Sequence, residues 1–295
     1  MEKESSNPNG QVSQVAIAAP PRKRPGNIWL IIVAGLFIIV PFLTWYFTWF
    51  GRELSDQKIF EYLGDEQHPR NTQHALLQIE EKIERGDPSA QKFYPQIVAV
   101  SKSSHAEIRK TVAWVMGQDN KSDDFHRALQ SLLKDEDPLV RRNAALQLVR
   151  FTDANGRPDG AGRPELRAML QPFEAKTPIA GQIASLLPIR NAVRAGAMLA
   201  RIRDSAGNLA EFRSPVDGAI AALAVKEGET VQSGQTISLI NPDRATLLSA
   251  LEALAYVGTK DDVPLIESVN KIDGSADVAQ QSTQTAKAIR SRTAE

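Results

Sequence analysis

The stretch DANGRPDGAGRPE, which begins at Asp153, holds oxygen-bearing side chains at a spacing that could bind calcium. EF-hand loops place oxygen ligands at alternate positions, a turn glycine at the sixth and a bidentate Glu at the twelfth. Asp153 and Asn155 fit this spacing. Arg157 and Pro158 stand where an oxygen ligand and the turn glycine are needed, and Pro164 stands where the Glu is needed. We therefore interpret the stretch as a flexible loop rich in Gly and Pro.

The acidic run DEDP, residues 135–138, could supply paired carboxylates for a metal ion or for acid–base chemistry. The same residue types also begin helices. Asp accepts hydrogen bonds from the free N–H groups at a helix start, and Pro fits the first helical turn. We favour capping by Asp135 and Asp137, because Pro138 follows directly and an amphipathic segment begins there.

Histidine and cysteine offer no metal site and no nucleophilic site. The four histidines, His68, His74, His105 and His126, show no spacing that places two ligands on one helical face, and the chain has no cysteine. His68 and His105 are predicted between helices, and His126 at an exposed helical position. Trp114 is predicted to lie in the core or to line a groove. We expect no catalytic residues, no metal ion and no cofactor, and therefore not an enzyme.

The charge balance limits the possible partners. The 295 residues include 35 basic and 35 acidic side chains, so the formal net charge is zero. Nucleic-acid binding normally draws on an excess of Lys and Arg that displaces counterions from phosphates. We therefore expect protein partners and no nucleic acid.

One long apolar run, IWLIIVAGLFIIVPFLTWYFTWF, extends from Ile28 to Phe50 without a charged residue. Its 23 residues would form a helix of about 35 Å, enough to cross the hydrocarbon core of a bilayer. Trp29 lies near one end and further aromatic residues lie at the other, as is typical of side chains at the two membrane interfaces. A cleaved signal peptide or a buried core helix is the alternative. The bulky end of the run favours a retained membrane anchor over residues 28–50.

Basic residues flank this run unequally. Arg22, Lys23 and Arg24 precede it, and Arg52 is the only base immediately after it. The positive-inside rule predicts a cytoplasmic N-terminus, with the rest of the chain across the membrane. The tail before the run is rich in Pro, Ser, Asn and Gly and is predicted to be disordered. The opposite orientation, with most of the chain in the cytoplasm, is the alternative.

Two segments, 104–118 and 137–151, align without gaps at an offset of 32 or 33 residues. In each of them apolar residues fall on one helical face, and another amphipathic segment precedes each. An earlier copy spans residues 60–83, and weaker copies follow residue 242 at 243–258, 260–273 and 277–291.

The paired helices and their period resemble HEAT repeats. The resemblance covers most of residues 55–172 and 243–291. It implies a curved solenoid, because one repeat cannot bury its apolar face without its neighbours. HEAT-like solenoids usually bind other proteins through a concave surface, and they seldom catalyse reactions.

Between the two helical regions lies a segment whose halves align on each other. The matched sets are Pro178, Gly181, Ile183 and Leu186 with Pro215, Gly218, Ile220 and Leu223 at an offset of 37, then Val193, Gly196, Leu199 and Ile202 with Val231, Gly234, Ile237 and Ile240 at 38. Alternating apolar residues between glycines predict short β-strands. Asn191 takes the approximate place of Gly228, and both residue types tolerate a positive φ in a tight turn.

This internal repeat resembles the biotinyl/lipoyl domain over about residues 177–242. The resemblance implies a flattened β-sandwich with internal two-fold symmetry, inserted within the solenoid. Carrier members of the family hold a lysine at the hairpin between the halves, where this sequence has Gly207. No lysine lies between residues 177 and 225, which excludes a covalently attached arm.

A second branch of that family also lacks the arm. Membrane-fusion proteins of bacterial secretion and efflux systems carry a lipoyl-like domain behind an N-terminal membrane anchor, and SPVDGAIAALAVKEGETVQSGQTISLI is similar to the second half of that domain. Those proteins normally separate the halves with a long coiled-coil hairpin, whereas only a short stretch intervenes here. An adaptor that reaches an outer-membrane channel is therefore not expected.

Together the patterns predict an α + β multidomain fold, in which helical hairpins form an α-solenoid and an all-β sandwich is inserted. The expected parts are a disordered cytoplasmic tail (1–26), a transmembrane helix (27–50), a first solenoid part (51–173), the β-domain (174–242) and a second solenoid part (243–295).

The predicted function is that of a scaffold or adaptor, anchored in a bacterial inner membrane with most of the chain periplasmic. Its expected partners are proteins, in particular subunits of membrane complexes. Besides the solenoid groove, the candidate interface residues are Arg203, Asp204, Gly207, Asn208 and Arg213. The alternatives are an accessory subunit of an efflux or secretion complex, and a subunit of an enzyme complex whose β-domain binds a cofactor without a covalent link.

Overall fold

The computed structural model describes residues 28–49, 53–153 and 155–292. The chain divides into two compact units, Met1–Glu53 and Leu54–Glu295. The predicted disordered tail, 1–26, lies outside the described residues.

In the first unit, the described helix is α1 (Ile28–Trp49), which has 22 residues and contains Pro41. Its described side chains are those of Trp29 and residues 32–44, and most of them are exposed. Where side chains are described, no helix is both long and apolar enough to cross a membrane. The membrane anchor over residues 28–50 therefore stays a prediction.

The second unit begins with helices that pack in two layers. They are α2 (Asp56–Leu63), α3 (Pro69–Glu84), α4 (Tyr94–Val100), α5 (Ala106–Met116), α6 (Asp123–Leu132), α7 (Pro138–Leu148) and α8 (Arg163–Ala168). Helices α3, α5 and α7 lie side by side in one layer, and α2, α4 and α6 form the other. The predicted helical repeat region is therefore present. Its core is continuous from repeat to repeat, with Phe93, Phe125 and Leu129 fully buried.

The helix starts follow local capping chemistry. Ser55, Ser122 and Asp137 each accept a hydrogen bond from a backbone N–H of the first turn of α2, α6 and α7. Such caps satisfy donors that have no partner within the helix. The expected cap at Asp137 is confirmed, since its Oδ1 accepts from the N–H of Leu139 at 2.8 Å. Asp135 is not the N-cap residue of α7: its Oδ1 accepts from the Asp137 N–H at 2.9 Å, and its carboxylate also binds Arg109 of the preceding repeat.

Three helices complete the second unit: α9 (Arg244–Val257), α10 (Val263–Ser268) and α11 (Ala276–Arg292). α9 packs against α8 on one side and against α11 on the other. Leu166 and Leu170 share a buried core with Leu247, Leu251 and Leu254. Helices that lie before and after the strands in the sequence are therefore direct neighbours in space.

Eight strands lie between α8 and α9 in the sequence and form two four-stranded antiparallel sheets, ordered β1-β8-β6-β3 and β5-β4-β2-β7. The strands are β1 (Phe173–Lys176), β2 (Gly181–Leu186), β3 (Ala192–Val193), β4 (Met198–Arg203), β5 (Leu209–Arg213), β6 (Gly218–Leu223), β7 (Thr230–Val231) and β8 (Thr236–Pro242). Ile183, Ile202, Ile220 and Ile240 are buried in one core that both sheets share. The predicted β-rich region is therefore present.

The two halves of this region are structurally equivalent. Replacing each strand of the first half by its counterpart four strands later converts one sheet order into the other. Hydrogen bonds repeat in the same way. The Thr177 hydroxyl donates to the Ile179 carbonyl at 2.8 Å, and the Ser214 hydroxyl donates to the Val216 carbonyl at 2.6 Å.

Turn geometry corrects one prediction. Gly228 has a φ of +85°, as expected for the turn before β7. In the equivalent turn of the first half, before β3, the residue with a positive φ is Arg190, at +68°, and not Asn191. Asn191 instead donates from its side chain to the Pro188 carbonyl at 3.0 Å. The two equivalent turns thus have the same backbone conformation, although one has Arg190 where the other has Gly228.

Candidate functional site

An exposed aromatic side chain marks the layer formed by α3, α5 and α7. Trp114 on α5 is 45% exposed, and Leu77 on α3 is 53% exposed. The indole Nε1 of Trp114 donates to Glu80 Oε1 at 2.5 Å, which joins the two helices. Because Leu77 lies one turn before Glu80, it shares that helical face. We call Leu77, Glu80 and Trp114 the Trp114 surface.

The position of Trp114 follows from the periodicity of α5. Val112, Val115 and Met116 are fully buried, so the indole projects from the opposite side. On its other flank α5 is held by α7, where the Asn143 side-chain amide donates to the Lys110 carbonyl at 3.2 Å. The Trp114 surface is therefore built on packed helices and has a fixed geometry.

The surroundings of the Trp114 surface are acidic. Glu81 and Glu84 are exposed one and two turns beyond Leu77 on α3. Lys110, the nearby base on α5, is paired with Glu107. Glu81 lies 3.9 Å from the Arg85 guanidinium, at the edge of this patch. An apolar patch next to exposed carboxylates suits a partner segment that combines an apolar side chain with a basic one.

Arginines of the same helical layer connect successive repeats. Arg109 makes a bidentate pair with Asp135, at 2.7 and 2.8 Å, and donates to the Ser103 carbonyl at 2.9 Å. Arg141 repeats the arrangement one repeat later: it donates to the Asp135 carbonyl at 2.8 Å and to Glu165 at 3.2 Å. Each arginine thus joins the turn before its own helix to a carboxylate that follows in the sequence.

The first of these pairs is almost fully buried, with the two side chains 9% and 7% exposed. Burial acts to raise the pKa of Asp135, but the hydrogen bonds from Arg109 and from the Asp137 N–H outweigh it, so the pKa is lowered. Asp135 therefore stays ionised and is bound by Arg109. DEDP accordingly offers no free pair of carboxylates for a metal ion or for acid–base chemistry.

Four of the five predicted interface residues come together in the hairpin between β4 and β5. The Asp204 carboxylate accepts from the N–H groups of Ala206 and Asn208, at 2.9 and 2.8 Å. Gly207 has a φ of +87°, and Arg203 donates to its carbonyl at 3.3 Å. The hydrogen bond from the Asn208 N–H lowers the pKa of Asp204 below its usual range. The hairpin tip is a tight, exposed turn held by one carboxylate.

The fifth residue, Arg213, lies at the other end of β5. It is paired with Met198 in the strand register, and its guanidinium donates to the Gly196 carbonyl at 2.8 Å and to Glu211 at 2.5 Å. The structure therefore separates Arg213 from the hairpin tip.

A buried carboxylate joins the helices on either side of the strands. Asp262, with no exposed side-chain surface, accepts from Arg163 Nε at 2.7 Å and also pairs with Arg167. Arg163 further donates to the Thr259 hydroxyl at 2.6 Å. Burial opposes ionisation of Asp262, but the hydrogen bonds from Arg163 and the Thr259 N–H dominate and lower its pKa. We call these residues the Asp262 clamp.

The histidine predictions are corrected in one place. His126 is not an exposed helical position: its side chain is 22% exposed, its ring stacks on Phe151, and its Nε2 lies 2.6 Å from Asp159 Oδ2. His68 and His105 lie directly before α3 and α5, as expected. Among the described residues, no group of His, Cys, Asp and Glu could hold a metal ion.

Sequence reasoning missed the arginine pairs and the partner of Trp114. Arg109 and Arg141 recur at an offset of 32, which is a visible signal of a shared role. The pairing of Arg163 with Asp262 spans 99 positions, and nothing local in the sequence indicates it.

Comparison with known proteins supports the helical part. Residues 94–171, which contain α4 to α8, match the family of HEAT repeats. No curated protein matches the chain. A solved structure described as a single-chain, multi-domain long-chain acyl-CoA carboxylase is similar, with 15% identity, 35% of this chain and 11% of that chain covered, and a TM-score of 0.24. A likeness of this extent carries no argument about the fold or function of this chain.

Proposed function

We propose that this protein is a scaffold that binds a protein partner through the Trp114 surface. The observation that carries the proposal is the exposed indole, held by Glu80 between two packed helices. Tryptophan is a common binding anchor, and its value increases when its position is fixed before the partner arrives. HEAT repeats generally mediate protein interactions, and their match at 94–171 includes Trp114.

A photo-crosslinking amino acid at Leu77 tests this proposal in intact cells. We expect a discrete adduct with one protein, and loss of that adduct when Trp114→Ala is added. The matched control is the same crosslinker at Arg127, an exposed residue of α6 in the other layer. The same adduct from both positions, or none from Leu77, contradicts the proposal.

The partner is expected to present an apolar side chain and a basic one. Once it is identified, Trp114→Ala should weaken binding about thirtyfold, equal to about 2 kcal/mol, as truncation of a central aromatic anchor does. Glu81→Gln should weaken binding less, and only at low salt, because the carboxylate is exposed. Titration calorimetry measures both values.

A membrane anchor belongs to the same proposal. It is supported by the uncharged run from Ile28 to Phe50 in the sequence. The flanking charges support a cytoplasmic N-terminus. Alkaline extraction of membranes should leave the full chain in the pellet and release a variant that lacks residues 28–50. An alkaline phosphatase fused after residue 295 should be active if the second unit is extracytoplasmic, and inactive in the opposite orientation.

The β-rich region is proposed to be a lipoyl-like domain without carrier function. The equivalence of its halves and the hairpin at Gly207, between β4 and β5, support this assignment. Intact-mass measurement of protein isolated from its own cells should give the unmodified mass for residues 173–242. An added lipoyl or biotinyl group would contradict it.

A further inference from the structure

Strand β5 forms one edge of its sheet, where β4 is its one neighbour among the strands that the structure describes. The backbone groups of Asn208 and Ser214 point towards the first half: the Asp204 N–H donates to the Asn208 carbonyl at 2.9 Å, and the Gly196 N–H donates to the Ser214 carbonyl at 2.7 Å. Backbone groups alternate in direction along an antiparallel strand. The N–H and C=O groups of the odd-numbered residues Leu209, Glu211 and Arg213 therefore point away from β4, towards the open edge.

The side chains of these odd-numbered residues share the outer face of the sheet. Glu211, Arg213 and Leu209 are exposed, whereas Phe212 is buried in the core. Glu211 and Arg213 carry opposite charges two positions apart. An edge strand of this kind can pair with a second extended strand through its free backbone groups.

The charges select one register for pairing with an identical strand. If two copies of β5 run antiparallel about Phe212, Glu211 of each copy stands opposite Arg213 of the other, and both pairs use outward-pointing backbone groups. Pairing about Glu211 instead places the two Glu211 carboxylates opposite each other, which is unfavourable. The strand is therefore self-complementary in charge and in backbone donors and acceptors.

The equivalent edge of the other sheet carries the same pattern but has a different environment. Glu174 and Lys176 on β1 correspond to Glu211 and Arg213. β1, however, begins next to helix α7, where Arg142 lies over the Phe173 ring at 5.7 Å and Leu139 packs against the same core. On β5 the counterpart of Phe173 is Ala210. The first residue of this strand, Leu209, is 53% exposed. β5 is the more accessible of the two edges.

We propose that two copies of this chain associate through their β5 edges, in an antiparallel pairing centred on Phe212. The pairing joins the two sheets into one and forms two Glu211–Arg213 contacts between copies. It goes beyond binding at the Trp114 surface, which lies on the helices.

Charge reversal tests the pairing, using the full chain in mild detergent and sedimentation to measure association. Glu211→Arg makes both positions basic, and Arg213→Glu makes both acidic, so each variant alone places like charges opposite each other. We expect each variant to dimerise at least about tenfold more weakly than the wild type. An equimolar mixture of the two variants should recover the wild-type affinity, because opposite charges then face each other in the mixed dimer.

Glu174→Arg and Lys176→Glu on β1 are the matched controls and should leave dimerisation unchanged. Loss of the dimer in these controls would overturn the proposal in favour of pairing that involves β1. A wild-type chain that is monomeric at all concentrations, or single reversals that leave the dimer intact, would also overturn it.

Cysteine pairs determine the register independently of charge. Because the chain has no cysteine, Glu211→Cys and Arg213→Cys each introduce a single thiol. Mild oxidation should cross-link the mixture of the two variants, and should cross-link neither variant alone. Cross-linking of Glu211→Cys with itself, or of either variant mainly to a different protein in intact membranes, would contradict pairing between two copies about Phe212.

Discussion

At the level of single residues, the molecule uses its polar side chains mainly to fix geometry. Glu80 holds the Trp114 indole, Asp204 holds the hairpin turn, and Asp137 caps α7. Each of these carboxylates could be taken for a catalytic or metal-binding group from the sequence alone. In the structure each of them accepts hydrogen bonds from defined donors and so has a structural role. The exposed indole of Trp114 is the feature suited to binding.

Two glycines of the β-rich region should differ sharply in their tolerance of substitution. A Cβ at Gly218 would lie 2.1 Å from the Asn241 carbonyl oxygen, in the middle of a sheet. A Cβ at Gly228 would meet open space, and only its φ of +85° opposes a side chain. Gly218→Ala should therefore lower the free energy of unfolding by about 3 kcal/mol, and Gly228→Ala by about 1 kcal/mol. Denaturant unfolding of both variants measures the difference, and equal losses would contradict it.

Local signals predicted the residues whose role is local. The cap at Asp137 could be read from the Asp-Pro pair, because capping depends on neighbours in the sequence. The roles of Asp135 and His126 could not, because their partners Arg109 and Asp159 lie 26 and 33 positions away. The positive φ at Arg190 was missed for a related reason: the sheet geometry imposes it on a residue type that rarely adopts it.

At the level of elements, arginine–carboxylate pairs join neighbouring helices of the helical repeat region. The Arg109 and Arg141 pairs connect successive repeats, and the Asp262 clamp connects α8 with the turn that follows α9. Bidentate arginine contacts fix orientation as well as distance. The clamp therefore gives the helices on either side of the strands the same kind of connection that uninterrupted repeats have.

Removal of the charge at Asp262 should destabilise the second unit. Asp262→Asn leaves two arginines facing a neutral amide in a buried position, and we expect the free energy of unfolding to fall by about 3 kcal/mol at pH 7. The exposed neighbour Asp261 provides the control, since Asp261→Asn should cost little. Chemical denaturation followed by circular dichroism measures both variants, and an equal effect of the two would contradict the role of the clamp.

The clamp should also respond to acid. Its carboxyl has a pKa lowered from the ordinary value of 3.8, so it stabilises the fold fully above that value and loses this contribution as the pH falls through the lowered pKa. The wild type should therefore keep its advantage over Asp262→Asn at pH 5 to 7, and the advantage should shrink below about pH 4. A difference that stays constant down to pH 2 would contradict this linkage.

Helices and strands were predictable as elements because their apolar periodicities differ. The segment around Ile108 shows the helical period, and the segment around Ile220 alternates between glycines. Which edge strand would stay open was not predictable, since Glu174 and Glu211 occupy equivalent positions. Only the neighbouring helix α7 distinguishes their environments.

At the level of the whole molecule, the strands enter and leave the helical part at one place. Phe173 on β1 is paired with Ile240 on β8, so the two ends of the β-rich region are adjacent in the sheet. Because α8 and α9 pack against each other directly, their contact does not pass through the strands. The helical part is therefore continuous in space although it is interrupted in the sequence.

Excision of the β-rich region should leave the helical part folded. A short Gly/Ser linker in place of residues 173–242 needs to span only adjacent chain ends, so the cost in loop entropy is small. We expect helical circular dichroism and one cooperative unfolding transition, at reduced stability because Leu139 and Arg142 lose apolar contacts. Addition of Asp262→Asn to this variant should lower its free energy of unfolding further. Loss of helical structure on excision alone would contradict independent folding.

The position of the Asp262 clamp has a mechanical consequence for the second unit. If a partner pulled on α11 while the start of α2 was held, tension would pass from α8 to α9 through the clamp and the leucines around it. The force would not pass through the β-rich region while the clamp stayed closed. Its strands would bear no load until the clamp opened, and the load would then fall on the paired strands β1 and β8.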